Sequence, residues 1–73
     1  MSRTFQIRID LRLLRENLSR EDGRELSDGE VRRWLEDAGF SPSAQGWMVR
    51  ESDLGQLDPR EVLSADIVTA PAT

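Results

Sequence analysis

Fourteen carboxylates and ten guanidinium groups make up nearly all the ionisable chemistry of this 73-residue chain, which contains no His, Cys or Tyr. Every basic residue is Arg, so the ammonium of Lys is missing as well. The absent types supply most general bases near neutral pH, most covalent nucleophiles other than Ser, and all Schiff-base chemistry. What remains is paired-carboxylate catalysis. That requires a cleft in which one acid is desolvated and its proton affinity moves away from that of its neighbour. A chain of this length buries only about 60% of its unfolded surface and is expected to have little room for such a cleft. The composition therefore predicts a protein that is not an enzyme, with no catalytic residue, cofactor-binding residue or metal ligand to assign.

The densest group of acids is Glu21, Asp22, Glu25, Asp28 and Glu30. Their spacing does not match an EF-hand loop, whose ligands alternate ahead of a Gly and finish on a Glu at the twelfth position. Arg20 and Arg24 stand among them, so a solvated turn around Asp22-Gly23 is the expectation, rather than a surface for a basic partner. The arginines are spread along the chain and not clustered, as a GC-rich genome would leave them. The formal net charge is −4, the wrong sign for a protein whose affinity would come from displacing counterions from phosphate. The lack of Cys suits a reducing compartment. No apolar run nears the roughly 18 residues of a membrane span, and the first ten residues lack the apolar stretch of a signal peptide. A bacterial-type, cytoplasmic accessory protein is expected, with no membrane association.

Positioning these groups is the task of a few short elements. TFQIRIDL, at 4–11, alternates strictly, with Phe5, Ile7 and Ile9 to one side and Gln6 and Arg8 to the other, which predicts a half-buried strand over 3–9. Leu11, Leu14 and Leu18 then fall at helical spacing behind Asp10, a good N-cap, giving a helix over 11–18, although the alternation could also continue as strand. Two near-rhyming hexapeptides follow, LSDGEV at 26–31 and LDPREV at 57–62. In each, an N-cap (Ser27 or Asp58) stands three residues before a Glu (Glu30 or Glu61) that can reach back to it. In each, a Leu and a Val (Leu26 with Val31, Leu57 with Val62) flank that pair as a hydrophobic staple. Beyond the Val residues the two stretches diverge, so the likeness is shared helix-start chemistry and not a repeat.

The first hexapeptide opens a helix over 28–38, with Val31, Trp34, Leu35 and Ala38 on one face and a stop at Gly39 followed by Phe40. The second, with Pro59 at N1, opens a shorter helix over 59–64. Between them, 41–45 reads as loop, 46–51 as strand and 52–57 as a turn or a single helical turn; 65–69 reads as a third strand. The fold class is thus α+β: a small two-layer sandwich of order β-α-α-β-α-β, one domain over 1–69 with a frayed tail at 70–73. Its three-stranded sheet would be packed on one face by helices. The expected core is Phe5, Ile7, Ile9, Leu14, Leu18, Val31, Trp34, Leu35, Phe40, Trp47, Val49, Leu57, Val62, Leu63 and Ile67. Both Trp residues belong to apolar stripes and are assigned to packing, not to a stacking site.

Two surfaces could carry a function. If the strands at 3–9 and 46–51 pair, Gln6, Arg8, Met48 and Arg50 share the outer face of the sheet, and Arg and Met are enriched at protein interfaces. An open face or a free strand edge also offers self-association or strand addition. The alternative is nucleic-acid contact through Arg32 and Arg33 on the helix at 28–38. It is disfavoured because Arg32–Glu36 and Arg33–Asp37 have i, i+4 spacing, which neutralises the charge locally. No basic helix follows after a short turn either. The preferred expectation is a protein-interaction domain that binds an unknown protein or itself.

Overall fold

A computed structural model describes residues 3–68. The chain runs β1 (Thr4–Ile9), α1 (Leu11–Asp22), α2 (Asp28–Asp37), β2 (Ser41–Ser43), β3 (Gly46–Arg50), α3 (Glu51–Leu54), a 3₁₀ turn (Pro59–Glu61) and β4 (Val62–Ile67). The strands form one four-stranded antiparallel sheet in the order β2-β3-β1-β4. The α+β class is as expected, with one strand more than the sequence predicts. The tail expected at 70–73 lies outside the described residues.

β1 is central because its alternation suits a strand flanked on both sides. Phe5 and Ile7 stand opposite Val49 and Trp47 of β3, and opposite Ile67 and Ala65 of β4. Ile7, Trp47 and Val49 join Leu14 and Leu18 of α1, Val31 and Leu35 of α2, and Phe40 and Leu57 in one buried cluster, with Phe5 packed against it. Ile7 and Leu35 are wholly buried. Burying a side chain of this size is worth about 1.5–3 kcal/mol.

The helix boundaries follow from local chemistry. Asp10 caps α1 by accepting from the Leu13 N–H at 3.1 Å. α1 continues past the expected end at 18, through Ser19–Asp22, until Gly23 takes φ 72°. Nothing in the segment 19–22 breaks a helix, so the first residue that tolerates a left-handed backbone ends it. At α2 the capping box is complete: the Glu30 N–H donates to Ser27 Oγ at 3.2 Å, and the Ser27 N–H donates to Glu30 Oε1 at 3.1 Å. Its other end closes as a Schellman motif, with Gly39 N–H on Glu36 O at 3.1 Å and Phe40 N–H on Leu35 O at 2.9 Å. Phe40 and Leu35 meet in the core, as that motif favours.

Three expectations are corrected. First, the segment 41–45 contains a strand, because Ser41 and Ser43 pair with Met48 and Gly46 in a hairpin turning at Ala44 and Gln45. Neither turn residue has positive φ; the unusual backbone of the reversal is carried by Gly46 at φ 138°, so the turn lacks the Asn-Gly signature that would announce it. Second, the capping box at Asp58 forms as expected but starts only a single 3₁₀ turn, not a helix over 59–64. The β-branched Val62 pairs instead with Ile9, and residues 62–67 are drawn into the sheet. Third, Leu63 and Ile67 are not core: they are 60% and 50% exposed, because β4 is an edge strand. Trp34 is half-buried against the core and Trp47 is buried.

Gly46 has a second constraint, since a Cβ there would run into the Ile7 carbonyl oxygen of the neighbouring strand. Gly46→Ala is expected to destabilise the fold by about 1–3 kcal/mol through backbone strain alone, and by more once the clash is added. Urea denaturation measures this; an unchanged midpoint would contradict the placement of β3 against β1.

Candidate interaction surface

The outer side of the sheet is built by the residues that alternate away from the core. β1 and β3 pair so that Gln6 stands opposite Met48 and Thr4 opposite Arg50. On the other side of β1, Arg8 faces Ser64 and Gln6 faces Asp66. Gln6, Arg8, Met48 and Arg50 therefore lie on one face, as their spacing predicts. Arg8 and Arg50 are exposed; Gln6 and Met48 are half-buried. Gln6 Oε1 accepts from the Ser43 hydroxyl at 2.9 Å, tying the middle of the face to β2. Among the described residues, neither Arg8 nor Arg50 has a carboxylate partner.

The two edges of the sheet differ. β2 spans Ser41–Ser43 and carries Pro42 at its centre, so one backbone donor is missing and the edge is blunted. β4 spans Val62–Ile67 with one charge, Asp66, and every residue after Val62 is exposed. The Val68 N–H donates to Thr4 O at 2.9 Å. By the alternation of an antiparallel ladder, Ser64 and Asp66 also direct their backbone groups to β1, while those of Ala65 and Ile67 point to the free edge. The pairing shifts between Arg8 and Ile9, leaving no β1 residue opposite Leu63; this is a bulge in the edge strand. Alongside runs an apolar groove of about 510 Å³ whose walls include Leu54, Leu57, Pro59, Val62 and Ala65. The sequence points to the face but not to this edge. The exposed Leu63 and Ile67 look like core residues in an alternating pattern, and only the strand order shows that they lie on an edge strand.

A second groove, of about 500 Å³, lies between α1 and the 3₁₀ turn, with Glu21, Asp58 and Glu61 among its lining residues. The expectation that so small a core leaves no room for a cleft is thus not met. Two of its acids, Glu61 and Asp58, are nonetheless committed to structure. Glu61 is 4% exposed; it accepts from the Asp58 N–H at 2.7 Å and from Asn17 Nδ2 at 2.9 Å, pinning the turn to α1. Asp58 is held below its ordinary carboxylate range, chiefly by the Arg60 N–H, the opposite of what a general acid requires. Among the described residues no three acids gather as a metal site, and no helix is long and apolar enough to cross a membrane.

Arg32 and Arg33 lie on the exposed side of α2. Their expected pairings with Glu36 and Asp37 do not form; among the described residues the ion pairs are elsewhere. At exposed positions the entropy of holding two long side chains together offsets the weak attraction. Glu36, Asp37 and Asp28 still surround them on the same exposed side. The acidic cluster is bound instead by Arg24, which bridges Asp22 and Glu30, and by Arg15, which meets Asp28 at 3.0 Å.

No protein-family model, no curated protein and no solved structure matches this chain.

The Arg24 guanidinium, followed by the Ser27 N–H, lowers the Glu30 carboxyl from the usual 4.5 to about 2. A carboxyl depressed by folding stabilises the native state at pH values above its ordinary range, and that contribution is lost as pH falls toward the folded value. Stability is therefore expected to decline between about pH 4.5 and 2. Glu30→Gln, which keeps an N3 side chain able to accept from Ser27, is expected to flatten that part of the profile. Urea midpoints measured across the window check this, and parallel profiles for the two proteins would contradict it.

Proposed function

We propose that this chain is a non-enzymatic protein-interaction domain that binds by adding a strand to the free edge of β4. The observation that carries the reading is the pairing of unused backbone groups with exposed apolar side chains on one strand. Ala65 and Ile67 direct their N–H and C=O groups outward, and Leu63, Ile67 and Val68 are 60%, 50% and 38% exposed. An added strand gains backbone hydrogen bonds, and alternate side chains provide the discrimination. The groove by Leu54, Leu57, Pro59 and Val62 gives an incoming apolar side chain a place to pack. The outer face formed by Gln6, Arg8, Met48 and Arg50 continues from this edge and supplies cationic contacts to the same partner. A bacterial-type accessory role in the cytoplasm accords with the lack of Cys and of a membrane-spanning helix among the described residues.

The test compares three baits by quantitative affinity capture: the wild type, an edge variant (Leu63→Lys with Ile67→Lys) and a face variant (Arg8→Glu with Arg50→Glu). Both double variants alter exposed positions and are expected to fold, which circular dichroism verifies. The edge variant is expected to lose at least about tenfold of the specific signal, as interfaces commonly depend on a few apolar anchors. The face variant is expected to lose less. Equal capture by the wild type and the edge variant would contradict the reading.

A further inference from the structure

We infer that the strand received by β4 is β4 of a second copy of this chain, paired antiparallel about a two-fold axis at Ala65. The inference rests on the edge-binding reading above and specifies the occupant. Three features of β4 lead to it.

The first is register. In a hydrogen-bonded pair across the free edge, both residues must direct their backbone groups outward, and at the axis Ala65 does so in each copy. With Ala65 opposite Ala65 of the second copy, Ile67 falls opposite Leu63, which has no partner in β1. Ser64 then falls opposite Asp66, and Val62 opposite Val68. Every cross-strand pair is compatible. The two exposed branched residues, Leu63 and Ile67, cover one another, and the one charge in the strand meets a hydroxyl that can donate to it. Sliding the register by two residues in one direction sets Asp66 against Asp66, which is repulsive. Sliding it the other way sets Leu63 against Ala65 and leaves Ile67 beyond the second copy's strand.

The second is the small side chain at the axis. Ala65 stands opposite Ile7 on the same side of the sheet and is exposed. A bulky residue would meet its own copy there, and a methyl group does not.

The third is closure. A two-fold pairing of β4 with β4 uses both long edges and leaves only β2, blunted by Pro42, at each end of the joined sheet. Pairing of β4 with β2 would instead propagate from copy to copy, and Pro42 removes a donor from that contact. The product is a continuous sheet with the order β2-β3-β1-β4-β4-β1-β3-β2.

The test uses the full chain. Size-exclusion chromatography with light scattering, run from low to high micromolar concentration, is expected to show the mass rising from 8.3 kDa toward twice that value. Two variants report the register. Ser64→Asp places a carboxylate opposite Arg8 within the chain, which does not harm the monomer, but opposite Asp66 across the axis. It is expected to weaken dimerisation about fivefold or more, with both symmetric contacts made repulsive. Ala65→Cys introduces the only thiol in a chain without Cys, and mild oxidation is expected to cross-link it in high yield across the axis, whereas Ser41→Cys on the far edge is not. A mass that stays at 8.3 kDa at high micromolar concentration overturns the inference. So does a dimer that ignores Ser64→Asp and leaves Ala65→Cys uncross-linked. If the chain is monomeric yet the edge variant still loses a captured protein, the occupant is wrong and the edge-binding reading stands.

Discussion

The pairing of β1 with a strand on each side is the interaction on which the rest of this fold depends. β1 presents Phe5, Ile7 and Ile9 to one side, and those residues are hidden only if helices close over them and strands flank them. β3 comes from the middle of the chain and β4 from its end, so folding must close a long loop to bring β4 to β1. That closure is secured at one corner by polar contacts. The Asp10 N–H donates to Glu61 O at 2.7 Å, and Asn17 holds the Glu61 carboxylate. The start of α1, the 3₁₀ turn and the entry to β4 are therefore one hydrogen-bonded unit. The buried Glu61 belongs there because its oxygens are occupied, not because they are free to react.

The same constraint produces the functional surface. With β1 lying between β3 and β4, β4 is an edge of the sheet, and its residues after Val62 are exposed. A strand of apolar composition is left with one row of backbone groups unpaired. Proteins ordinarily blunt such edges with Pro, charge or brevity. This chain does so at β2 with Pro42 and does not do so to the same degree at β4, where the bulge at Leu63 and the single Asp66 are the only disruptions. The asymmetry between the two edges is the basis of the proposed interaction.

Much of this was legible in the residues themselves. Strict alternation at 4–9 identified β1 and its two faces, and hence the shared placement of Gln6, Arg8, Met48 and Arg50. The cap-and-staple chemistry of Ser27 to Val31 located α2, and Gly39 with Phe40 located its end. Asp58 and Glu61 also formed their box, but local capping does not determine how far a helix continues. Val62 and the residues after it gained more from pairing with Ile9, Arg8, Ile7, Gln6 and Phe5 than from another helical turn, a choice made by tertiary structure. The hairpin at Ala44-Gln45 was hidden because Gly46, one position later, supplies the backbone freedom that a sequence pattern seeks inside the turn. The free edge was hidden for a different reason: an apolar alternating strand reads the same whether it is central or peripheral, and the strand order is not written in the strand.

The central claim is that the outward N–H groups of β4 are free in one copy and bonded when copies meet. Residue-resolved amide hydrogen exchange, measured by NMR at two protein concentrations, addresses it directly. Ser64 and Asp66, bonded within the chain, are expected to be protected at both concentrations. Ala65 and Ile67 are expected to exchange rapidly in dilute solution and slowly in concentrated solution. Protection of Ala65 and Ile67 that does not change with concentration, whether high or low, would contradict the account.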